Sequence, residues 1–146
     1  MTNEEIAKTF AKLAFFLSLK EENKFRVNAY LKASRSILKC PLPVEEILAA
    51  GEDLTQIEGI GKIIAKKIED LIIFGEITTL SELLREYPES LFEISQIKGI
   101  GPKTILKIHH YHQVASLMDL RKLLDSGQPL KIPASYANRI REHFRR

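Results

Sequence analysis

The hexapeptide Gln56-Ile57-Glu58-Gly59-Ile60-Gly61 returns 40 residues later as Gln96-Ile97-Lys98-Gly99-Ile100-Gly101. Each copy is followed by the same dipeptide at the same distance, Lys67-Ile68 and Lys107-Ile108. A single Gly-x-Gly is a common accident, whereas a repeated one in the same setting points to a repeated structural unit. Four of the chain's seven glycines lie in these two copies. A glycine on either side of an isoleucine lets the chain turn tightly at positive φ, and it leaves no Cβ to hold another molecule off the backbone.

Each copy is flanked by a short helical segment before it and a longer one after it. The turn therefore opens into a helix N-terminus, where unpaired N–H groups and the positive end of the helix dipole collect. Phosphate is the usual anion at such a place. Lys62 and Lys103 fall in the opening turns, Lys66, Thr104 and Lys107 follow them, and Ile60 and Ile100 are expected to anchor the turns in the core. The expected contacts run to phosphate rather than to base edges, so binding is expected to be sequence-independent. The alternative for either copy alone is a tight turn between two packed helices. Packing does not require the same hexapeptide twice.

The rest of the chain also reads as helices. Thr2 and Glu5 have capping-box spacing, and Ile6, Phe10, Leu13 and Leu17 recur at helical intervals behind them. This predicts a helix over Thr2 to Lys20. A second is expected over Phe25 to Lys39, with Val27, Tyr30, Leu31, Ser34 and Leu38 on one face and Pro41 and Pro43 beyond its end. Further helices are expected over Pro43 to Ala50, Gly61 to Phe74, Thr79 to Tyr87, Ser90 to Gln96, Pro102 to His112, Leu117 to Ser126 and Ser135 to Phe144. No segment alternates at period two, so the fold class is all-α. The expected organisation is two small helical domains, 1–77 with a hairpin at about 54–74 and 78–146 with a hairpin at about 94–112.

Composition narrows the classes. With 45% hydrophobic and 28% charged residues the chain is not disordered in type. Cys40 stands alone, which excludes an internal disulfide and a multi-cysteine metal site. No apolar run approaches the roughly 20 residues that span a bilayer. The acidic start, Met1-Thr2-Asn3-Glu4-Glu5, is unlike a secretory signal. A soluble cytoplasmic protein, nucleoid-associated if bacterial and assumed monomeric, is the expectation. Residues 1–80 hold 11 basic and 12 acidic side chains, and residues 81–146 hold 11 and 7. Binding to nucleic acid is thus permitted chiefly through the second half.

The two copies resemble tandem helix-hairpin-helix DNA-binding motifs. With the upstream segment Phe25-Arg26-Val27-Asn28-Ala29-Tyr30 and Lys32-Ala33, nearly the whole chain resembles the N-terminal region of family X DNA polymerases, the DNA polymerase beta family. The resemblance implies DNA as the partner, in repair or replication, with a preference for gapped or nicked DNA and with a polymerase or repair protein nearby. It also implies a monovalent cation, sodium or potassium, at hairpin carbonyls of Ile57, Gly59, Ile97 and Gly99; no other cofactor is expected. The family continues into a catalytic palm with paired aspartates. Here only Asp53, Asp70, Asp119 and Asp125 occur before Arg146, none as Asp-x-Asp. The expectation is a chain that does not polymerise DNA by itself, either a piece of a longer protein or a stand-alone module.

The family's lyase lysine corresponds by motif position to Lys67, which would form a Schiff base with an abasic 5′-deoxyribose phosphate. Arg26, Tyr30 and Lys62 are the matching phosphate-pocket residues. Ile63 and Leu71, one helical turn either side of Lys67, are expected to desolvate it, with Lys66 as a neighbouring cation. Against this, Lys107 fills the same slot in the second copy, and Ile63, Thr55 and Thr79 stand where lyase-active members carry basic residues. The other reading of Lys67 is a snorkelling surface lysine. A protein-interaction module, with Ile6 to Leu17 as the partner face, is a third alternative. His109 and His112 are too few for a structural zinc site. Arg139, Arg141, Arg145 and Arg146 read either as a phosphate-attracting tail or as a solvated helix end. Ile132 to Tyr136 faintly echoes the hairpin without its glycines.

Overall fold

A capping box starts the first helix. The Glu5 N–H donates to Thr2 Oγ1 at 3.1 Å, and Glu5 reaches back to the Thr2 N–H. The computed structural model describes residues 1–20 and 23–145, so Arg146 of the expected basic tail lies outside the described residues. Among the described residues there are nine α-helices, one 3-10 turn and no strand. The all-α fold class is the observed one. The chain divides into two units, Met1–Leu83 and Leu84–Arg146. No helix is long and apolar enough to cross a membrane among the described residues.

The first unit begins with α1 (Asn3–Leu19) and α2 (Lys24–Lys39). Ile6, Phe10, Leu13 and Leu17 are all buried, and Ala7, Ala14, Phe15, Phe16 and Leu19 join them. The expected partner face of α1 is thus core, which removes it as a docking surface for another protein. Across from it, α2 buries Tyr30, Ala33, Ser34 and Ile37, an i, i+3, i+4, i+7 stripe. Ser34 Oγ donates to the Ala7 carbonyl at 2.7 Å, and the Phe10 and Tyr30 rings lie 6.2 Å apart. The expected α2 face is corrected here. Leu38 is 56% exposed, and Ile37 takes the inward position because the stripe through Tyr30 and Ser34 advances to it.

Pro43 precedes α3 (Val44–Ala49), whose start is tied to α1 by one side chain. Asn3 donates to the Leu42 carbonyl at 3.0 Å and accepts the Val44 N–H at 2.9 Å. A 3-10 turn over Leu54–Gln56, which periodicity did not reveal, leads into α4 (Lys62–Phe74). Gly75, at φ +79°, closes α4 in the left-handed conformation that glycine adopts without penalty. The helix α5 (Thr78–Glu86) follows, with Leu80 and Leu83 buried.

The second unit holds α6 (Leu91–Ile94), α7 (Pro102–His112), α8 (Leu117–Asp125) and α9 (Ala134–Arg145). Its core is Leu91, Ile94, Ile97, Ile105, Ile108, Val114, Leu120 and Ile140, all at most 2% exposed. Burial of such side chains stabilises by about 1.5–3 kcal/mol each. Two histidines are used structurally. His109 Nδ1 lies 2.9 Å from the Val114 carbonyl, and His112 Nε2 accepts the Lys131 N–H.

Candidate nucleic-acid interface

The two hexapeptides take the same backbone path. The Ile60 N–H donates to the Ile57 carbonyl at 3.0 Å, and the Ile100 N–H to the Ile97 carbonyl at 3.2 Å. Gly59 and Gly99 stand third in these turns at φ +88° and +83°, and no non-glycine turn residue shares a positive φ. This is the type II pattern, which demands glycine at that position. Ile60 and Ile100 are buried at 4% and 6% exposure, so each turn is anchored from its fourth residue. Gly61 and Gly101 then run extended and act as N-caps of α4 and α7 with no side chain to cap the helix. The first bond of each helix goes back to that glycine, from Ala65 to Gly61 and from Ile105 to Gly101. The N–H groups of the first turns therefore remain open. A Cβ at Gly61 or Gly101 would meet nothing within 4 Å, so the space beside each N-cap is open.

The charges around the two turns differ. In the first, Lys62 is exposed but Glu58 stands at the tip, and Lys66 is held by Asp70 at 3.1 Å. That hydrogen bond raises the Lys66 pKa above the ordinary lysine value. Asp53, just upstream, accepts the Thr55 N–H at 2.9 Å. Its carboxyl is held below the ordinary value chiefly by that bond, with Lys62 adding a smaller electrostatic contribution. In the second turn Lys98, Lys103 and Lys107 are all exposed. Thr104 is buried, at 8% exposure, so what it offers at the open end is its backbone N–H in the first turn of α7.

Each left-handed glycine is backed by a helix distant in sequence, which the motif spacing did not signal. Behind Gly59 lies α2, where an added Cβ would be 2.5 Å from Ser36 Oγ and 3.4 Å from Lys32 Cε. Behind Gly99 lies α9, whose Arg139 guanidinium donates to the Gly99 carbonyl at 3.0 Å. A monovalent cation at the Ile97 and Gly99 carbonyls does not fit this arrangement, because the guanidinium already places a positive charge on one of the oxygens. The Ile57 and Gly59 carbonyls carry no such neighbour among the described hydrogen bonds.

Lys67, Arg26 and Tyr30 are brought together, and Lys62 is not shown in contact with them. Lys67 Nζ lies 6.0 Å from the centre of the Tyr30 ring, and the Arg26 guanidinium carbon lies 5.9 Å from it. Thr79 Oγ1 is 3.5 Å from Lys67 Nζ, a partner supplied by α5. Lys67 is half-buried while Lys107, its counterpart in the repeat, is exposed. Of the two expected neighbours, Ile63 is 74% exposed while Leu71 is buried, and Tyr30 and Thr79 also lie beside the Lys67 amine.

Comparison with known proteins agrees with this geometry. A family model described as a helix-hairpin-helix domain matches residues 1–77. The DNA polymerase/3'-5' exonuclease PolX of Bacillus subtilis (strain 168) is 27% identical over 165 residues, a match that covers 96% of this chain and 28% of that protein. This chain thus spans little more than a quarter of the length of that relative. With the family model matching more than half of its residues, first hairpin included, the chain belongs to the helix-hairpin-helix domain family.

Proposed function

We propose that the protein binds DNA without sequence preference, gripping backbone phosphates with both hairpins, in the setting of DNA repair or replication. The observation that carries this reading is the duplicated end of turn. In both copies a left-handed glycine is followed by an extended one that opens an uncapped helix beside an exposed lysine. Open N–H groups at a helix start bind phosphate oxygens, and phosphate contacts position a protein without reading bases. The similarity to a polymerase supports gapped or nicked DNA as the preferred form and a polymerase or repair protein as a partner. At the first hairpin the carbonyl oxygens of Ile57 and Gly59 would hold a monovalent cation, adding positive charge between backbone and phosphate.

The test is fluorescence anisotropy on duplex, single-stranded and 5′-phosphorylated gapped DNA across a range of salt. If about four phosphates of duplex DNA are neutralised, log K falls against log salt with a slope near −3.6. Binding tightest on the gapped form is expected. Binding that is absent, or indifferent to salt, overturns the reading.

The convergence of Lys67, Arg26 and Tyr30 favours a second reading, a 5′-deoxyribose-phosphate lyase. Arg26 would hold the 5′-phosphate. The Lys67 amine would attack the C1′ aldehyde, and the carbonyl oxygen would leave as water. Loss of a C2′ proton then breaks the C3′–O bond and releases the phosphate there. Borohydride trapping on an incised abasic duplex is expected to give a covalent product that Lys67→Ala abolishes. No product, or one unchanged in the variant, refutes it.

A further inference from the structure

Arg139 lies 40 residues from the turn it touches. Its Nη1 donates to the Gly99 carbonyl, and its side chain crosses the turn so closely that a Cβ on Gly99 would lie 2.8 Å from Cδ and 3.1 Å from Nε. The guanidinium also lies against the Tyr136 ring, 5.4 Å from its centre. A carbonyl oxygen, a glycine surface and an aromatic ring thus fix a residue that is nevertheless exposed. Among the described residues no carboxylate pairs with it. A guanidinium has five donors in a rigid fork, and one serves the carbonyl. The remaining donors lie beside Gly99, two residues before the N-cap of α7, in a turn that also carries the exposed Lys98 and Lys103. At the first hairpin the place over Gly59 is taken by Ser36 and by the stem of Lys32, whose ammonium is not held on the turn by any hydrogen bond among those described.

We propose that Arg139 is a DNA-phosphate ligand of the second hairpin, held in register by the Gly99 carbonyl. This rests on the reading that the hairpins bind DNA. It separates Arg139 from the other arginines of α9, among which Arg141 donates to Asn138 on its own helix.

The experiment is anisotropy on duplex DNA over a salt series, using the full chain and the variants Arg139→Ala, Arg139→Gln and Arg141→Gln. Glutamine keeps an N–H donor for the carbonyl and loses the charge, so it guards against loss of folding in the alanine variant; melting temperatures are recorded for all. The expected result for Arg139→Gln is an affinity lower by about tenfold and a log–log slope less negative by about 0.9, one phosphate contact fewer. Arg141→Gln is expected to stay within about twofold of the parent. An unchanged slope in Arg139→Gln reduces Arg139 to a brace of the turn and overturns the proposal. Equal losses in Arg139→Gln and Arg141→Gln overturn it too, because they mark a diffuse basic surface. If the parent protein itself shows no salt-dependent binding, the DNA-binding reading fails, and this proposal with it.

Discussion

Gly59 and Gly61 flank the same isoleucine, yet their substitution is expected to fail in different ways. Gly59 sits at φ +88°, and an added Cβ would lie 2.5 Å from Ser36 Oγ. An L-residue in the left-handed region costs about 1–2 kcal/mol. The contact with Ser36 adds to that, because Ser36 is half-buried and cannot swing away freely. Gly59→Ala should therefore lose about 2 kcal/mol or more. For a unit of this size each kcal/mol lowers Tm by about 4–8 °C, so a fall of about 10 °C is expected by thermal circular dichroism. The double variant Gly59→Ala with Ser36→Ala should recover the contact and leave the strain. Gly61 is extended, with nothing within 4 Å of an added Cβ. Loss of a glycine N-cap and gain in chain stiffness nearly offset, so Gly61→Ala should change stability by less than about 1 kcal/mol. Its methyl group, however, would take up open space at the start of α4, where a phosphate is proposed to approach. Losing one hydrogen bond to a charged phosphate costs about 1.5–3 kcal/mol, about tenfold or more in affinity. A Gly59→Ala protein that melts with the parent, or a Gly61→Ala protein that binds DNA like the parent, refutes the division of labour.

Three further outcomes can be checked. Thr2→Ala removes the capping box of α1 and should cost about 1 kcal/mol in urea unfolding, with no change in DNA affinity. Lys103→Ala should make the salt slope less negative by about 0.9, and Lys66→Ala should change it less, because Asp70 already compensates that charge. Asp53 should titrate below its ordinary value of 3.8 by carboxyl NMR, since the Thr55 N–H favours the ionised form. Its capping contribution is then complete above that pH and lost as the solution is acidified through the lowered midpoint, while Asp53→Asn should show no such dependence; a midpoint at or above 3.8 contradicts it.

Local signals were legible where neighbours in sequence are neighbours in space. The capping box at Thr2 and Glu5, the buried stripe Ile6, Phe10, Leu13 and Leu17, and the glycine closing α4 all follow from spacing of four residues or fewer. The 3-10 turn at Leu54–Gln56 was not legible, because three residues are too few to display a period. On α2 the competing stripes through Ile37 and Leu38 are both apolar, and only the partner helix decides which turns inward. Thr104 reads as polar and close to an anion site, but one helical step carries it from the exposed side at Lys103 to the buried side at 8% exposure. Arg139 on Gly99, Ser36 on Gly59 and Thr79 on Lys67 join residues 12 or more positions apart, and no periodicity encodes such pairs.

Those distant partners explain how one hexapeptide, folded twice in the same way, yields two surfaces of different chemistry. The turn itself contributes only backbone: a left-handed glycine, an anchoring isoleucine and an open helix start. What surrounds it comes from elsewhere. At the first turn Glu58 occupies the tip, Asp70 neutralises Lys66, and α2 brings a hydroxyl and a methylene stem to the glycine. At the second turn Lys98 replaces the glutamate, no acid pairs with Lys103 or Lys107 among the described salt bridges, and α9 brings a guanidinium to the carbonyl. Counterion release scales with the number of phosphates neutralised, so the second hairpin should supply most of the salt-dependent affinity. Near the first, Lys67 and Arg26 both lie against the Tyr30 ring, so on the lyase reading proposed above it is the one expected to hold a phosphorylated DNA end.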